Sequence, residues 1–129
     1  MTITTGLDVA ASADVVWDLL VDVRAWPDWG PTLREVRLEG GAHRISAGST
    51  GEVRTVLGPW LPFRVEDWRE GEVRSWAWRV AGVPATEHRV RSIGPDRCRV
   101  ELGVPWWAPG YLAVVALALT RIRRAAEGG

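Results

Sequence analysis

The chain has 129 residues, 47 % hydrophobic and 25 % charged, the composition of one globular domain spanning residues 1–129, and a disordered segment is excluded. Its 16 acidic and 16 basic residues cancel, which argues against nucleic acid or an anionic membrane as partner; all 16 bases are arginine, so lysine-based chemistry is absent. The lone Cys98, with only His43 and His88 for company, offers neither an internal disulfide nor a zinc-type ligand set, and a reducing, cytoplasmic setting without cofactor or metal is expected.

The opening Met1-Thr-Ile-Thr-Thr-Gly lacks a basic stretch followed by an apolar one, so no signal peptide is expected. Ile3, Thr5, Leu7 and Val9 alternate as in a strand. Ser12 offers an N-cap and Asp14 suits the first turn of a helix, along which Val15, Val16, Leu19, Leu20 and Val23 recur at helical spacing. Pro27 and Pro31 interrupt that helix, and a short second helix or turn is expected around Trp26–Pro31.

From about residue 33 the period becomes two. The alternating runs carry Val36 and Leu38, Val53 and Thr55, Phe63 and Val65, Trp76 and Trp78, Thr86 to Val90, and Cys98 to Val104. Gly40-Gly41, Gly58-Pro59, Glu70-Gly71, Gly82-Val83-Pro84 and Gly94-Pro95-Asp96 separate them. Short connections between alternating runs imply an antiparallel meander with one dry face and one wet face. After Pro109-Gly110, residues Tyr111 to Leu119 are apolar and continue into Thr120–Glu127, the pattern of a helix that must be covered on nearly all sides. The run is too short for a membrane span, which needs ~20 residues. Nine tryptophans against one Phe and one Tyr must fill a core or line a cavity.

The predicted order is one strand, two short helices, six meandering strands and a long C-terminal helix. With the run Ala11–Trp29 (a Val-Trp helix leading to Trp26-Pro-Asp-Trp29), the Val65-Glu-Asp-Trp-Arg-Glu-Gly hairpin and the His88–Leu102 hairpin, it resembles the START-like superfamily of polyketide cyclase/dehydrase-like and birch-pollen-allergen-like proteins. The resemblance covers essentially the whole chain. It implies an α+β helix-grip fold, in which a curved antiparallel sheet wraps around the C-terminal helix and encloses a cavity for lipids, polyketides or similar ligands. It implies no single reaction, and function must be argued from the site.

With Phe63 and Val65 inward, period two places Asp67 inward as well, where a carboxylate in an apolar cavity can act as general acid or base; the plainer alternative is a rim carboxylate paired with an arginine such as Arg79. His88 falls on the same face, as proton shuttle, ligand donor or satisfied core histidine. With one strand between them, the two groups stand roughly 10 Å apart, a gap a ligand can bridge. The expected lining comprises Val53, Thr55, Phe63, Val65, Trp76, Trp78, Thr86 and Val90 on the strands and Val115 on the helix. Trp29, Trp60 and Trp107 are expected near the mouth, Tyr111 can hydrogen-bond a ligand, act as an acid or simply cap the sheet, and Trp76 and Trp78 can either stack on a planar ligand or fill the core. Arg89, Arg91, Arg97 and Arg99, flanked by Glu87 and Glu101, read as a solvated face.

Three functions remain open. The first is binding of a small hydrophobic molecule, lipid-, polyketide- or aromatic-like, by a bacterial protein. The second is a cofactor-free cyclase or dehydratase using Asp67 and His88. The third is a protein-interaction or homodimerisation module built on the Trp-rich turns and the apolar C-terminal helix.

Overall fold

The computed structural model of the chain describes residues 2–128. Strand β1 (Thr2–Val9) leads into helices α1 (Ala13–Val21) and α2 (Trp26–Trp29); strands β2 (Leu33–Leu38), β3 (Thr50–Thr55), β4 (Trp60–Arg69), β5 (Val73–Val80), β6 (Val83–Gly94) and β7 (Arg97–Pro105) follow. A short 3-10 turn, Pro109–Tyr111, opens helix α3 (Leu112–Gly128). The strands form one antiparallel sheet in the order β1-β7-β6-β5-β4-β3-β2, so the meander closes on its first strand. Helices α1, α2 and α3 pack against one another, and the buried apolar side chains of sheet and helices form one cluster.

Local chemistry explains the turns. Ser12 Oγ accepts the Val15 backbone N–H at 3.4 Å and starts α1. Trp26 and Trp29 finish it: their indole N–H groups donate to the Leu20 and Leu19 carbonyls at 2.9 and 2.8 Å, acceptors that the helix end leaves without partners. Pro27 sits in the first turn of α2, where its missing N–H is harmless. Gly51 faces Phe63 across β3 and β4; a Cβ there would meet the Phe63 ring at 3.0 Å and run into the Arg37 carbonyl.

Three expectations need correction. Helix α3 lies against the curved sheet but is not covered on nearly all sides: Val115, Ala118, Leu119 and Ile122 are buried, while Ala113, Ala116 and Leu117 face outward, Leu117 at 44 % exposure. Its far end is tied down by Glu127, whose carboxylate accepts the Ala10 N–H at 2.8 Å. Asp67 does not point inward. The β4–β5 register slips between Glu66 and Arg69, and Asp67 takes φ +53°, the left-handed region that Asp tolerates better than most residues. That bulge turns Asp67 outward and brings Trp68 in, edge-on to Trp17 at 5.4 Å. Trp60 also lies on the outer face, beneath the Arg37 guanidinium at 4.0 Å.

The bulge can be tested by substitution. Asp67→Gly should leave stability within about 0.5 kcal/mol, because glycine accepts the backbone angle, whereas Asp67→Val should cost about 1–2 kcal/mol. Urea midpoints measure both; equal stability of the two variants contradicts the bulge.

Candidate functional site

Most of the aromatic residues gather over the concave face of the sheet, Phe63, Trp68, Trp76 and Trp78 from the strands and Trp17, Trp26 and Trp29 from helices α1 and α2, and they pack on each other. Trp76 on β5 and His88 on β6 are direct cross-strand partners, stacked at 3.8 Å and 14°. The other side of Trp76 is covered by Trp26 at 5.4 Å and 11°. Trp78 meets Trp26 and Phe63 edge-on at 5.3 and 5.5 Å. Trp26, Phe63, Val65, Trp76 and Val90 are thereby core residues, and the central cavity expected between sheet and α3 is largely filled.

Two adjacent spaces remain. An inner recess of about 40 Å³ is bordered by Trp29, Trp76, Trp78, His88 and Leu102 on one side and Val114, Val115 and Ala118 of α3 on the other. A larger cavity of about 280 Å³ lies where β3, β5 and β7 end, walled by Leu33, Val53, Thr55, Val80, Ala85 and Trp107, with Trp78 at its inner end. Thr32, Leu33, Trp78, Thr86 and Tyr111 border both spaces. Tyr111 and Thr32 join hydroxyls at 3.0 Å, linking the foot of α3 to the chain after α2. Of the residues expected to line the site, Trp29, Val53, Thr55, Trp76, Trp78, Thr86, His88, Trp107, Tyr111 and Val115 border these spaces; Trp60, Phe63, Val65, Val90 and Asp67 do not. Sequence reasoning missed Leu33, Ala85 and Pro105, although all three fall in stretches without charge.

His88 is held in a hydrogen-bonded chain. The Trp76 carbonyl can only accept, so His88 Nδ1 carries the proton and donates to it at 3.4 Å. Trp78 Nε1–H donates to Thr86 Oγ1 at 3.0 Å, and the Thr86 hydroxyl donates to His88 Nε2 at 3.3 Å. Burial drives the His88 pKa down to about 3, against a smaller upward pull from the bond to the Trp76 carbonyl. The ring is therefore neutral near pH 7, with both nitrogens engaged.

Asp67 does not complete a proton-transfer pair. It is exposed beyond the bulge, whereas the His88 ring is buried between Trp76 and Trp29, with both nitrogens taken by other partners. Arg79, the alternative partner for Asp67, pairs with Glu66 at 3.1 Å instead. Asp67 borders a depression of about 510 Å³ on the outer face, with Arg69, Ser75, Glu87, Arg89 and Glu101; strand residues Trp76 and His88 also touch it, although their rings stack with each other in the core. That space is larger than the apolar cavity, but its charged, hydrated walls suit water better than an apolar guest. Cys98 is buried, and burial raises its thiol pKa, so it stays protonated. Among the described residues, no three His, Cys, Asp or Glu side chains gather as metal ligands, and no helix is long and apolar enough to cross a membrane.

The state of His88 sets a pH dependence. Its folded pKa lies below the ordinary value of 6.5, so the unfolded chain binds the proton more readily as pH falls from about 6.5 toward 3. Stability contributed by the neutral ring is present above pH 6.5 and is lost below it, by ~2 kcal/mol between pH 7 and pH 5. Denaturant titrations should show this loss, and a His88→Gln variant should show much less of it. An equal loss in both proteins contradicts the assignment.

Residues 1–127 match the family model described as polyketide cyclase / dehydrase and lipid transport. No curated protein matches the chain. Solved structures share the fold at low sequence identity. A hypothetical protein of Helicobacter pylori superposes with a TM-score of 0.78 at 11 % identity, covering 98 % of this chain and 88 % of its own. Truncated norcoclaurine synthase from Thalictrum flavum gives a TM-score of 0.62 at 18 % identity, with 96 % and 91 % covered. The di-domain aromatase/cyclase of the BE-7585A biosynthetic pathway gives 0.70 at 14 %, covering 97 % of this chain and 46 % of that one. With the curved sheet set against a C-terminal helix and the family match running through both, the chain belongs to the polyketide cyclase/dehydrase and lipid transport family.

Proposed function

We propose that this domain binds a small apolar molecule, lipid-, polyketide- or aromatic-like, in the cavity at the uncharged end of the sheet. The observation that carries the reading is the 280 Å³ space walled by Leu33, Val53, Trp78, Val80, Ala85 and Trp107. Its size lies at the lower edge of the range in which small-molecule sites fall, roughly 300–1,000 Å³. Exclusion of water from such walls favours an apolar guest at roughly 25 cal/mol per Å² buried. Family membership supports a ligand-binding or cyclase role. Cyclisation driven by Asp67 with His88 has no support in the geometry, since Asp67 is exposed beyond the bulge and His88 is buried and already hydrogen-bonded at both nitrogens.

A second reading has its own observation. Trp106 and Trp107, consecutive in the chain, are 63 % and 52 % exposed, and Leu57 between β3 and β4 is 88 % exposed, apolar surface fit for a second copy of the chain. Under that reading Trp106→Ser lowers the sedimentation mass; under the first it does not.

N-phenyl-1-naphthylamine, an uncharged dye that brightens in apolar surroundings, tests the cavity directly. It should brighten with the native protein, and Ala85→Trp or Val53→Trp, which fill the space, should weaken binding about tenfold or more while circular dichroism stays native. Undiminished binding in both filled variants rules the cavity out.

A further inference from the structure

We propose that the occupant is an uncharged compound of one or two rings whose hydroxyl group enters the inner recess. The inference rests on the cavity reading above and adds the chemical class of the guest.

Charge is the first argument. Neither space is bordered by Asp, Glu or Arg, and His88, the one imidazole there, is neutral. Among the described residues the uncharged character extends well beyond the walls: 29–33, 55–63, 80–86 and 102–120 contain no ionisable acid or base apart from the Tyr111 phenol. An ionised carboxylate or phosphate in this cavity finds no cation, and an unpaired charge out of water is costly. A neutral guest suffers no such penalty.

The recess gives the second argument. About 40 Å³ exceeds the ~10–15 Å³ needed by one water molecule but leaves no room for a ring. Its polar groups are sparse and neutral. Thr86 Oγ1 accepts from Trp78 and donates to His88, which leaves one lone pair free. Trp76 borders the recess, and its Nε1–H is the one buried side-chain donor without a partner among the described residues. A buried N–H left unpaired costs about 1–3 kcal/mol, so the site gains from a guest that brings an acceptor. A ring in the larger cavity, against Trp78 and Trp107, with one hydroxyl passing Thr86, meets both requirements: the O–H can donate to the free Thr86 lone pair and its oxygen can accept from the Trp76 N–H.

Calorimetry at pH 7 with 2-naphthol, naphthalene and 2-naphthoate separates the possibilities, because the three probes share one ring system. 2-Naphthol should bind at least ~10-fold more tightly than 2-naphthoate and ~3- to 10-fold more tightly than naphthalene, the range expected of one neutral hydrogen bond. Thr86→Val should at least halve the preference for 2-naphthol over naphthalene, the remainder coming from the Trp76 N–H, while naphthalene itself binds within about twofold of its native affinity, which also reports that the cavity is intact. 2-Naphthoate binding as tightly as 2-naphthol overturns this proposal and leaves the cavity reading standing. So does a 2-naphthol preference that Thr86→Val leaves unchanged. Absence of binding by all three probes overturns both.

Discussion

Trp76 is clamped on both faces, by Trp26 from α2 and by His88 from the neighbouring strand, and this three-ring stack decides how much space the sheet leaves inside. Trp26 reaches the stack because its own N–H is fastened to the Leu20 carbonyl at the end of α1. The same contacts that end one helix and start the next therefore press an indole into the hollow of the sheet. Once Trp76 is covered on both sides it has no face left for a ligand, and the available space moves toward the strand ends, where Trp78 closes the floor and Trp107 forms an outer wall.

Electrostatics divide the molecule along the strands. Around the cavity the loops are free of charge, whereas Asp8, Arg97 and Arg99 crowd the opposite end, where Arg99 meets Asp8 at 3.1 Å. Exposed ion pairs of this kind add little stability, typically 0–1 kcal/mol, so their placement is better understood as solubility at one end and apolar access at the other. His88 fits the same division. Its neutral ring extends the Trp78–Thr86 hydrogen bond to the Trp76 carbonyl and holds the cavity floor in one arrangement.

Much of this was legible in the chain. Period-two alternation through Val53, Val65, Trp76 and His88 named the concave face, and Ser12 marked the start of α1. Asp67 escaped because a bulge adds one residue to β4 and reverses the alternation, and an Asp at positive φ carries no distinguishing pattern in sequence. Trp60 escaped for a different reason: an indole on a wet face is stabilised by Arg37, a residue of another strand, and such a partner is set by the fold alone. The filled centre could not be read either, since an inward tryptophan has the same period whether it packs on a ring or borders a void. The walls contributed by Leu33, Ala85 and Pro105 left a faint signal, the long uncharged stretches around them.

Xenon, which enters dry apolar cavities and has no other preference, tests where the empty space lies. In xenon-pressurised crystals of the protein, the account predicts density in the cavity between Val53, Val80, Ala85 and Trp107, and none between Trp26, Trp76 and His88. Xenon seated among those three stacked rings, with the strand-end cavity vacant, would contradict it.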